Sequence, residues 1–417
     1  YSIEWQSRGS SGVLFYSIEM NGTRVTRKMI QLDGGGSSNG GLGNIVSSHQ
    51  IATRPAFSKT SFSEFNVIAS KLGYEADTIG IVLVDNARAD FLLETVHSRA
   101  FVIDLHNDLC EKMIDGYQIG IRHTTDNSDI PRFRDGGVDA QMFAIWVNPG
   151  PQDIGTGYYN PSITMIDTFT NQVSRNSAFI AQARTTVEIN QANSSGKLAG
   201  ILAVEGGHAI ENDIEKLKTY YAKGARYFTI TWNISTAWAT SAQDAQSATK
   251  GLSEFGKQVI RTLDSLGMII DVAHTGIKTI QDILAITKNP IIDSHCGAYA
   301  LRNHYRNLND DQIKSIAKSD GVIGVVFHTS FLSTSAASKV TIDTVINHID
   351  YIKNLVGINY VAIGSDFDGG ITPPVGLEDV SKLPALTLAL LKHGYSPADV
   401  KKILGSNYLR VFKQICH

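Results

Sequence analysis

From about residue 89 onward, the sequence alternates between short apolar runs and longer stretches with helical spacing. The eight apolar runs lie at 101–105, 139–147, 199–204, 226–231, 268–272, 290–293, 322–327 and 360–364. Stretches such as IEKLKTYYAKG and GKQVIRTLDSLG separate them, with apolar residues every three or four positions and a glycine at the end. A terminal glycine is typical of a helix C-cap. The alternation therefore predicts parallel strands connected by helices.

Eight such units over 329 residues fit a TIM-like (β/α)8 barrel with insertions, because a minimal barrel needs ~250 residues. An open doubly wound sheet is the competing interpretation. Such a sheet usually carries a glycine fingerprint after its first strand, and VIDLHNDLCEKM at 102–113 contains no glycine. The sequence therefore predicts an α/β fold with a (β/α)8 barrel over residues 89–417.

Residues 1–88 follow a different pattern and form a predicted small N-terminal α+β segment without visible chemistry. Asn21-Gly22 lies between two apolar runs and predicts a hairpin. The glycine-rich stretch 34–44 lacks the Lys-Ser/Thr of a phosphate-binding loop, so a flexible loop is expected. Residues 62–74 predict a helix, and residues 78–86 predict a buried strand.

Charge and composition exclude several classes of partner. The 37 basic and 40 acidic residues give a net charge of −3, and no basic block stands out, so nucleic acid is not an expected partner. No apolar stretch reaches the ~18 residues of a membrane span. Three cysteines without a C-x-x-C pair argue against a zinc ribbon or a disulfide framework. No signal peptide is visible, which is compatible both with export after signal removal and with a cytoplasmic location.

Polar residues with metal-binding side chains follow five of the predicted strands. Barrel enzymes carry their chemistry at these carboxyl ends. The candidates are His106, Asp108, Glu205, His274, His295, Asp366 and Asp368. One such residue alone is more often structural. Three histidines, an aspartate and a glutamate buried on one rim would suffer large desolvation and repulsion costs without a cation. The set therefore predicts a metal centre.

The donor types limit the metal and the reaction. Imidazole and carboxylate without thiolate favour zinc, with other divalent transition metals such as manganese or iron less favoured. Five ligands are more than one tetrahedral ion with an open position can bind, so we expect two ions. His106 and Asp108 would bind one ion, His274 and His295 would bind the other, and Glu205 would bridge them. Two divalent ions, two carboxylates and a bridging hydroxide leave a net positive charge. That charge favours an anionic tetrahedral intermediate and hence hydrolysis.

Several motifs resemble the membrane (renal) dipeptidase family, a binuclear-zinc branch of the amidohydrolase superfamily with a (β/α)8 barrel. They are DLHNDL, VEGGH, DVAHTG, SHCGAYALRNHYRN, GSDFDG and SNYLRVF, and the similarity runs from about Ala89 to the C-terminus. The resemblance implies the ligands given above. It also implies that Asp366 moves a proton between the bridging water and the leaving amine. Arg306 would grip the C-terminal carboxylate of the substrate, which suits a guanidinium fork.

The chain departs from the family at one substrate-contacting position. Animal members carry a histidine after the T-x-T of the fourth strand, where it donates a hydrogen bond to the scissile carbonyl, and here the residue is Trp232. An indole donates one hydrogen bond but cannot carry a charge. We expect a zinc-dependent dipeptidase that attacks with the bridging hydroxide, compatible with a homodimer. The alternatives are hydrolysis of N-acyl amino acids or cyclic amides, and a non-catalytic binding barrel.

Three neighbouring residues have open roles at this point. Asp368 is the rival of Asp366 for proton transfer, because the two carboxylates share a face of an extended chain. His208 either orients Glu205 or is structural. Trp238 forms an apolar pocket wall with Trp232 or belongs to the core.

Overall fold

The computed structural model describes the strand residues 13–20, 23–31, 45–47, 63–71 and 77–83 and then residues 96–416. Two compact units divide the chain, Tyr1–Ser98 and Arg99–His417, and each is described by itself. The predicted glycine-rich loop at 34–44 lies outside the described residues.

The first unit contains an antiparallel sheet. Its strands are β1 (Val13–Met20), β2 (Thr23–Gln31), β3 (Ile45–Ser47), β4 (Ser63–Lys71) and β5 (Asp77–Leu83), in the order β3-β2-β1-β4-β5. Met20 pairs with Thr23 across the Asn-Gly dipeptide, which confirms the predicted hairpin.

The helix predicted over 62–74 is wrong, because β4 occupies this segment. Phe65, Val67 and Ala69 alternate with their neighbours at a period of two, which suits a strand. β4 also pairs with β1 on one side and β5 on the other, so its backbone hydrogen bonds are made between strands. The segment 63–71 is thus a strand of the sheet, where the sequence pattern predicts a helix.

The second unit is a parallel barrel, and each of the eight predicted apolar runs coincides with one of its strands. The strands are β6 (Ile103–Asn107), β7 (Ala140–Trp146), β9 (Leu198–Glu205), β10 (Ala225–Thr229), β11 (Ile269–Asp271), β12 (Ile291–Cys296), β13 (Val322–Val325) and β14 (Val361–Ile363). They are hydrogen-bonded in this order around the sheet. One further strand, β8 (Ile180–Gln182), pairs only with the first residues of β9.

The barrel closes through the residues that follow its last strand. Asn107 forms a parallel bridge with Phe367. The amide of Asp366 donates to the carbonyl of His106 at 3.1 Å, and the amide of Asp108 donates to the carbonyl of Phe367 at 2.9 Å. These hydrogen bonds bring the carboxyl ends of β6 and β14 side by side.

Helices connect the strands on the outside of the barrel. They are α1 (Leu109–Ile114), α2 (Ile130–Asp135), α3 (Tyr159–Arg175), α4 (Thr186–Ser194), α5 (Ile214–Lys223), α6 (Glu254–Leu266), α7 (Ile277–Ile286), α8 (Asp310–Lys318), α9 (Thr329–Leu332), α10 (Ile342–Val356), α11 (Leu383–Lys392), α12 (Pro397–Lys401) and α13 (Asn407–Ile415). Short 3₁₀ turns lie at Gly207–Ile210, Ala337–Lys339, Ile358–Tyr360 and Val380–Lys382, and a π-helical turn lies at Lys402–Ser406. Gly224 and Gly267 end α5 and α6 in the left-handed conformation, as their sequences predict.

The last helix packs against the amino end of the barrel. Tyr408 and Phe412 of α13 are fully buried in one apolar cluster with strand residues such as Ile103 and Met142. The side-chain amide of Asn407 donates to the carbonyl of Val361, at the start of β14. Among the described residues, every helix falls short of the length and hydropathy that a bilayer crossing requires.

Candidate metal centre

Five predicted ligands meet at the carboxyl end of the barrel. His106 and His295 are the second-last residues of β6 and β12, and Glu205 is the last residue of β9. Asp108 and His274 follow the ends of β6 and β11. All five are at most 7% exposed. Their donor atoms form groups in which every atom lies within 4.8 Å of the others: His106 with Asp108 and Glu205, and Glu205 with His274 and His295.

Glu205 stands between the two pairs. Its Oε1 lies 2.9 Å from Nε2 of His274 and 3.7 Å from Nε2 of His295. Its Oε2 lies 3.5 Å from Nε2 of His106, which in turn is 3.4 Å from Oδ2 of Asp108. Because each carboxylate oxygen faces a different pair, the geometry matches a bridging ligand.

The hydrogen-bond partners fix the tautomer of His106. Its Nδ1 lies 2.7 Å from the hydroxyl of Tyr227, and that hydroxyl donates its single proton to the carbonyl of Leu105 at 3.1 Å. The imidazole must therefore donate through Nδ1, which leaves a lone pair on Nε2. This Nε2 is buried and has no hydrogen-bond partner among the described residues.

The same reasoning applies to the other two histidines. Nδ1 of His274 donates to Oδ1 of Asn233 at 2.8 Å. Nδ1 of His295 lies 2.8 Å from Oγ of Ser294, whose hydroxyl donates to Asp271 at 2.7 Å.

The two Nε2 atoms of His274 and His295 therefore both carry lone pairs and lie 3.1 Å apart. Two buried lone pairs at this distance repel unless a cation lies beside them. These Nε2 atoms, with that of His106, and the flanking carboxylates fit divalent transition-metal ions, and the hydrogen-bond partners of the Nδ1 atoms orient the rings as metal sites require.

Electrostatics support the same conclusion. Although burial opposes a charge on His106, the carboxylates of Asp108 and Glu205 raise its pKa well above the ordinary value. Burial, with the nearby Arg306, lowers the pKa of His274 to about 3. Burial alone would raise the pKa of Glu205, but His106 and His274 hold it below its usual range. A proton on His106 would therefore compete with a metal ion for its Nε2.

Asp366 is the sixth group at the centre. Its Oδ1 lies 4.0 Å from Nε2 of His106, and it forms a compact donor group with His106 and His295. Burial and the nearby carboxylate of Asp108 raise its pKa well above the ordinary value. A buried carboxyl beside this donor cluster is suited to carry a proton.

Asp368 does not join this cluster. Its Oδ1 accepts a hydrogen bond from the backbone amide of Asn127 at 2.7 Å. Both Asp366 and Asp368 have left-handed backbones, with φ of 64° and 67°, so the turn directs their carboxylates to different neighbours. Of the two rivals, Asp366 is the one that faces the donor cluster.

Arg306 is a buried cation close to the centre, 3% exposed. Its Nη2 donates to the carbonyl of His295 at 2.9 Å, and its guanidinium lies 5.6 Å from the ring centre of Phe331. Its Nε is buried and has no partner among the described residues. This arrangement leaves donor capacity for an anionic ligand.

The two tryptophans singled out in the sequence have different surroundings. Trp232 is partly exposed, and its ring centre lies 6.1 Å from that of His274. Trp238 is 2% exposed and packs against Phe255, so it belongs to the core. The neighbour of Trp232 is instead Trp146, with 5.0 Å between ring centres. Sequence reasoning missed Trp146, although it ends β7 beside Glu205 in the sheet register.

His208 has a structural environment. Its Nε2 lies 2.8 Å from the carbonyl of Val147, and its ring packs edge-on against Tyr158. The ring also explains the glycine before it: a Cβ on Gly206, whose φ is 95°, would lie 2.3 Å from the His208 ring. None of these contacts orients Glu205.

A parallel barrel with a buried cluster of histidines and carboxylates at its carboxyl end defines a metal-dependent hydrolase. The sequence profile of the membrane dipeptidase family (peptidase family M19) matches residues 92–417, and the chain belongs to that family. It is therefore a peptide-bond hydrolase with a metal cofactor.

Solved structures agree with this assignment. A dipeptidase described as a metallopeptidase of family M19 is 26% identical, with a TM-score of 0.72, over 76% of this chain and 99% of that one. A metallopeptidase from Rhodobacter sphaeroides, liganded with a phosphinate mimic of the dipeptide L-Ala-D-Ala, is 26% identical, with a TM-score of 0.70 and the same coverage. The probable dipeptidase PvdM from Pseudomonas aeruginosa, 22% identical over 79% of this chain and 99% of that one, shares the fold with a TM-score of 0.72.

Proposed function

We propose that this protein hydrolyses dipeptides with two zinc ions. His106 and Asp108 would hold one ion, His274 and His295 the other, and Glu205 would bridge them. The observation that carries the proposal is the convergence of three Nε2 atoms on the two oxygens of Glu205. Zinc bound there would polarise the scissile carbonyl and lower the pKa of a water to near 7, so that it can attack.

Asp366 is the proton carrier of the reaction. Amide hydrolysis requires one proton to leave the attacking water and one to reach the leaving amine. Asp366 lies beside His106, and its raised pKa makes its carboxylate a stronger proton acceptor. It accepts the proton from the water and returns it to the amine.

Arg306 supplies the preference for short peptides. Its guanidinium is bonded to the backbone of the ligand His295, and its Nε is free to donate. In a dipeptide the C-terminal carboxylate lies one residue from the scissile bond, so a carboxylate contact beside His295 would favour a dipeptide over a longer chain. The dipeptide mimic bound by the Rhodobacter sphaeroides relative supports a substrate of this size.

Trp232 forms one side of the substrate site beside His274. Its indole N–H donates a single hydrogen bond and stays neutral, so it stabilises a developing oxyanion less than a charged imidazole does. The substrate class that competes with dipeptides is N-acyl amino acids, because these also present a carboxylate to Arg306.

The experiment measures bound metal and turnover on one purified sample, with a panel of dipeptides and their N-acetylated amino-acid counterparts. We expect two zinc ions per chain and faster hydrolysis of dipeptides. Asp366→Asn should keep both ions and lose most turnover. Asp320→Asn is a matched control, since Asp320 has the same left-handed backbone (φ 64°) before the start of β13, at the other end of the barrel. Full metal content without hydrolysis of any substrate would support a binding protein instead.

A further inference from the structure

The turn that carries Asp366 is held by a distant asparagine. Asn127 lies in the connection between α1 and α2, and the turn lies 241 residues later in the sequence. The amide of Asn127 donates to Oδ1 of Asp368 at 2.7 Å, and the amide of Asp368 donates to Oδ1 of Asn127 at 3.0 Å. These reciprocal hydrogen bonds, the Asn127–Asp368 clasp, join the two segments.

The remaining polar groups of Asn127 bind a third segment. The side-chain amide of Asn127 donates to the backbone carbonyl of Glu378 at 2.9 Å, and the backbone carbonyl of Asn127 accepts from the amide of Val380 at 3.1 Å. All of its backbone and side-chain polar groups are thus engaged with residues more than 200 positions away. A surface loop residue rarely has this many long-range partners, so Asn127 fixes its loop, the turn and the Glu378–Val380 segment together.

The turn needs such support. Asp366 and Asp368 are both left-handed, which is strained for residues with a side chain. One side is fixed to β6, where the amide of Asp366 donates to the carbonyl of His106. The turn is tightly packed at Gly369, where a Cβ would lie 2.8 Å from Oδ1 of Asp366 and 2.5 Å from Oδ2 of Asp108. The clasp fixes the other side.

We propose that Asn127 and Asp368 are positioning residues that hold the carboxylate of Asp366 at the metal centre. This inference rests on the proposed role of Asp366. Asp368 hydrogen-bonds with Asn127 and would act on Asp366 through the backbone of the turn. A displacement of ~1 Å in a reacting group can cost about a hundredfold in rate, so loosening the turn should lower kcat while leaving substrate binding through Arg306 intact.

The test uses the zinc-loaded full chain with Asn127→Ala, Asp368→Ala and the double variant. Asn127→Ala removes two side-chain hydrogen bonds but keeps the backbone ones, so it folds even where Asp368→Ala does not. We expect each to lower kcat by about tenfold to a hundredfold, with KM within threefold and both zinc ions retained. The double variant should lose no more than the worse single variant, because both changes open the same clasp.

Two further variants separate positioning from a general loss of stability. Asp368→Asn keeps the acceptor for the Asn127 amide and should recover most of the kcat that Asp368→Ala loses. Asn289→Ala removes a side-chain hydrogen bond to Asp264 at the amino end of the barrel and should leave kcat unchanged.

Hydrogen–deuterium exchange gives a readout that does not depend on activity. Backbone amides 366–369 should exchange at least tenfold faster in the alanine variants, while those of β12 keep their rates. Unchanged kcat and unchanged exchange in both alanine variants would overturn the clasp while leaving the proposed function intact. Faster exchange in the alanine variants, together with a parent protein that cleaves no dipeptide, would support the clasp and reject the proposed function.

Discussion

The two ends of the barrel differ in how they treat buried polar groups. At the carboxyl end, His274, Asp366 and Asp368 have left-handed backbones, and buried histidine nitrogens face one another. At the amino end, α13 closes the barrel with Tyr408 and Phe412 in an apolar cluster. Strained residues cost on the order of 1–3 kcal/mol each, so the first end depends on packing at the second. The comparison teaches that chemistry and stability are separated along the barrel axis.

The sharpest test of this separation is Glu205→Ala. Removing the bridging carboxylate takes a ligand from both pairs, so we expect at most one bound ion per chain. Turnover should fall by at least about a thousandfold, since the ligands act as a unit. Elemental analysis and a dipeptide assay measure both. Two retained ions would show that Glu205 does not bridge.

The matching change at the amino end is Phe412→Ala. Phe412 is fully buried, and a large cavity there should lower the free energy of unfolding by about 3–5 kcal/mol. Urea unfolding measures the loss. We expect kcat at 25 °C to stay within twofold, because α13 packs at the amino end of the barrel and the predicted metal ligands lie at the carboxyl end. A large fall in kcat with native metal content would contradict the separation of chemistry and stability between the two ends of the barrel.

Arg306→Ala should act mainly on substrate binding. Loss of a buried guanidinium that pairs with a carboxylate costs about 2–4 kcal/mol, or roughly a hundredfold in kcat/KM, mostly through KM. Arg306→Lys keeps the charge without the fork and should fall in between. Steady-state kinetics with a dipeptide and its C-terminal amide measure the effect. An equal loss of kcat/KM with the C-terminal amide would show that Arg306 does not bind the substrate carboxylate.

The smallest expected effect is a pH dependence of stability at the amino end. Burial raises the pKa of Asp139 to about 6, although its Oδ2 accepts from the amide of Val102. Because the folded pKa is higher than the unfolded one, its contribution to stability is fully present below pH ~4 and is lost as the pH rises through 6. Screening at this half-buried carboxyl limits the loss to on the order of 1–2 kcal/mol. Asp139→Asn should reduce the pH dependence of the free energy of unfolding between pH 4 and 7, and kcat should stay unchanged.

Much of the barrel and its donor set can be predicted from the sequence, because both leave local signals. Each barrel strand is a distinct apolar run, and each ligand lies within a few residues of one. β8 pairs with the start of β9 outside the order of the barrel strands, and the alternation of apolar runs does not predict it. The helix prediction at β4 is wrong because the apolar residues of this segment fit both a helix and a strand. Pairing with the neighbouring strands decides between the two.

The supporting residues could not be predicted, because their partners are remote. Tyr227 contacts His106 across 121 positions, and Asn233 contacts His274 across 41. Only the folded barrel shows which inward side chain reaches which imidazole. Likewise, the choice between Asp366 and Asp368 depends on two left-handed residues that sequence spacing cannot reveal.

The most direct test of the metal centre is a crystal of the zinc-loaded protein measured on both sides of the zinc absorption edge. We predict two anomalous peaks about 3.5–4 Å apart, one on each side of the Glu205 carboxylate. One should contact Nε2 of His106, and the other Nε2 of both His274 and His295. No peak at this cluster, or zinc bound elsewhere on the chain, would contradict the account.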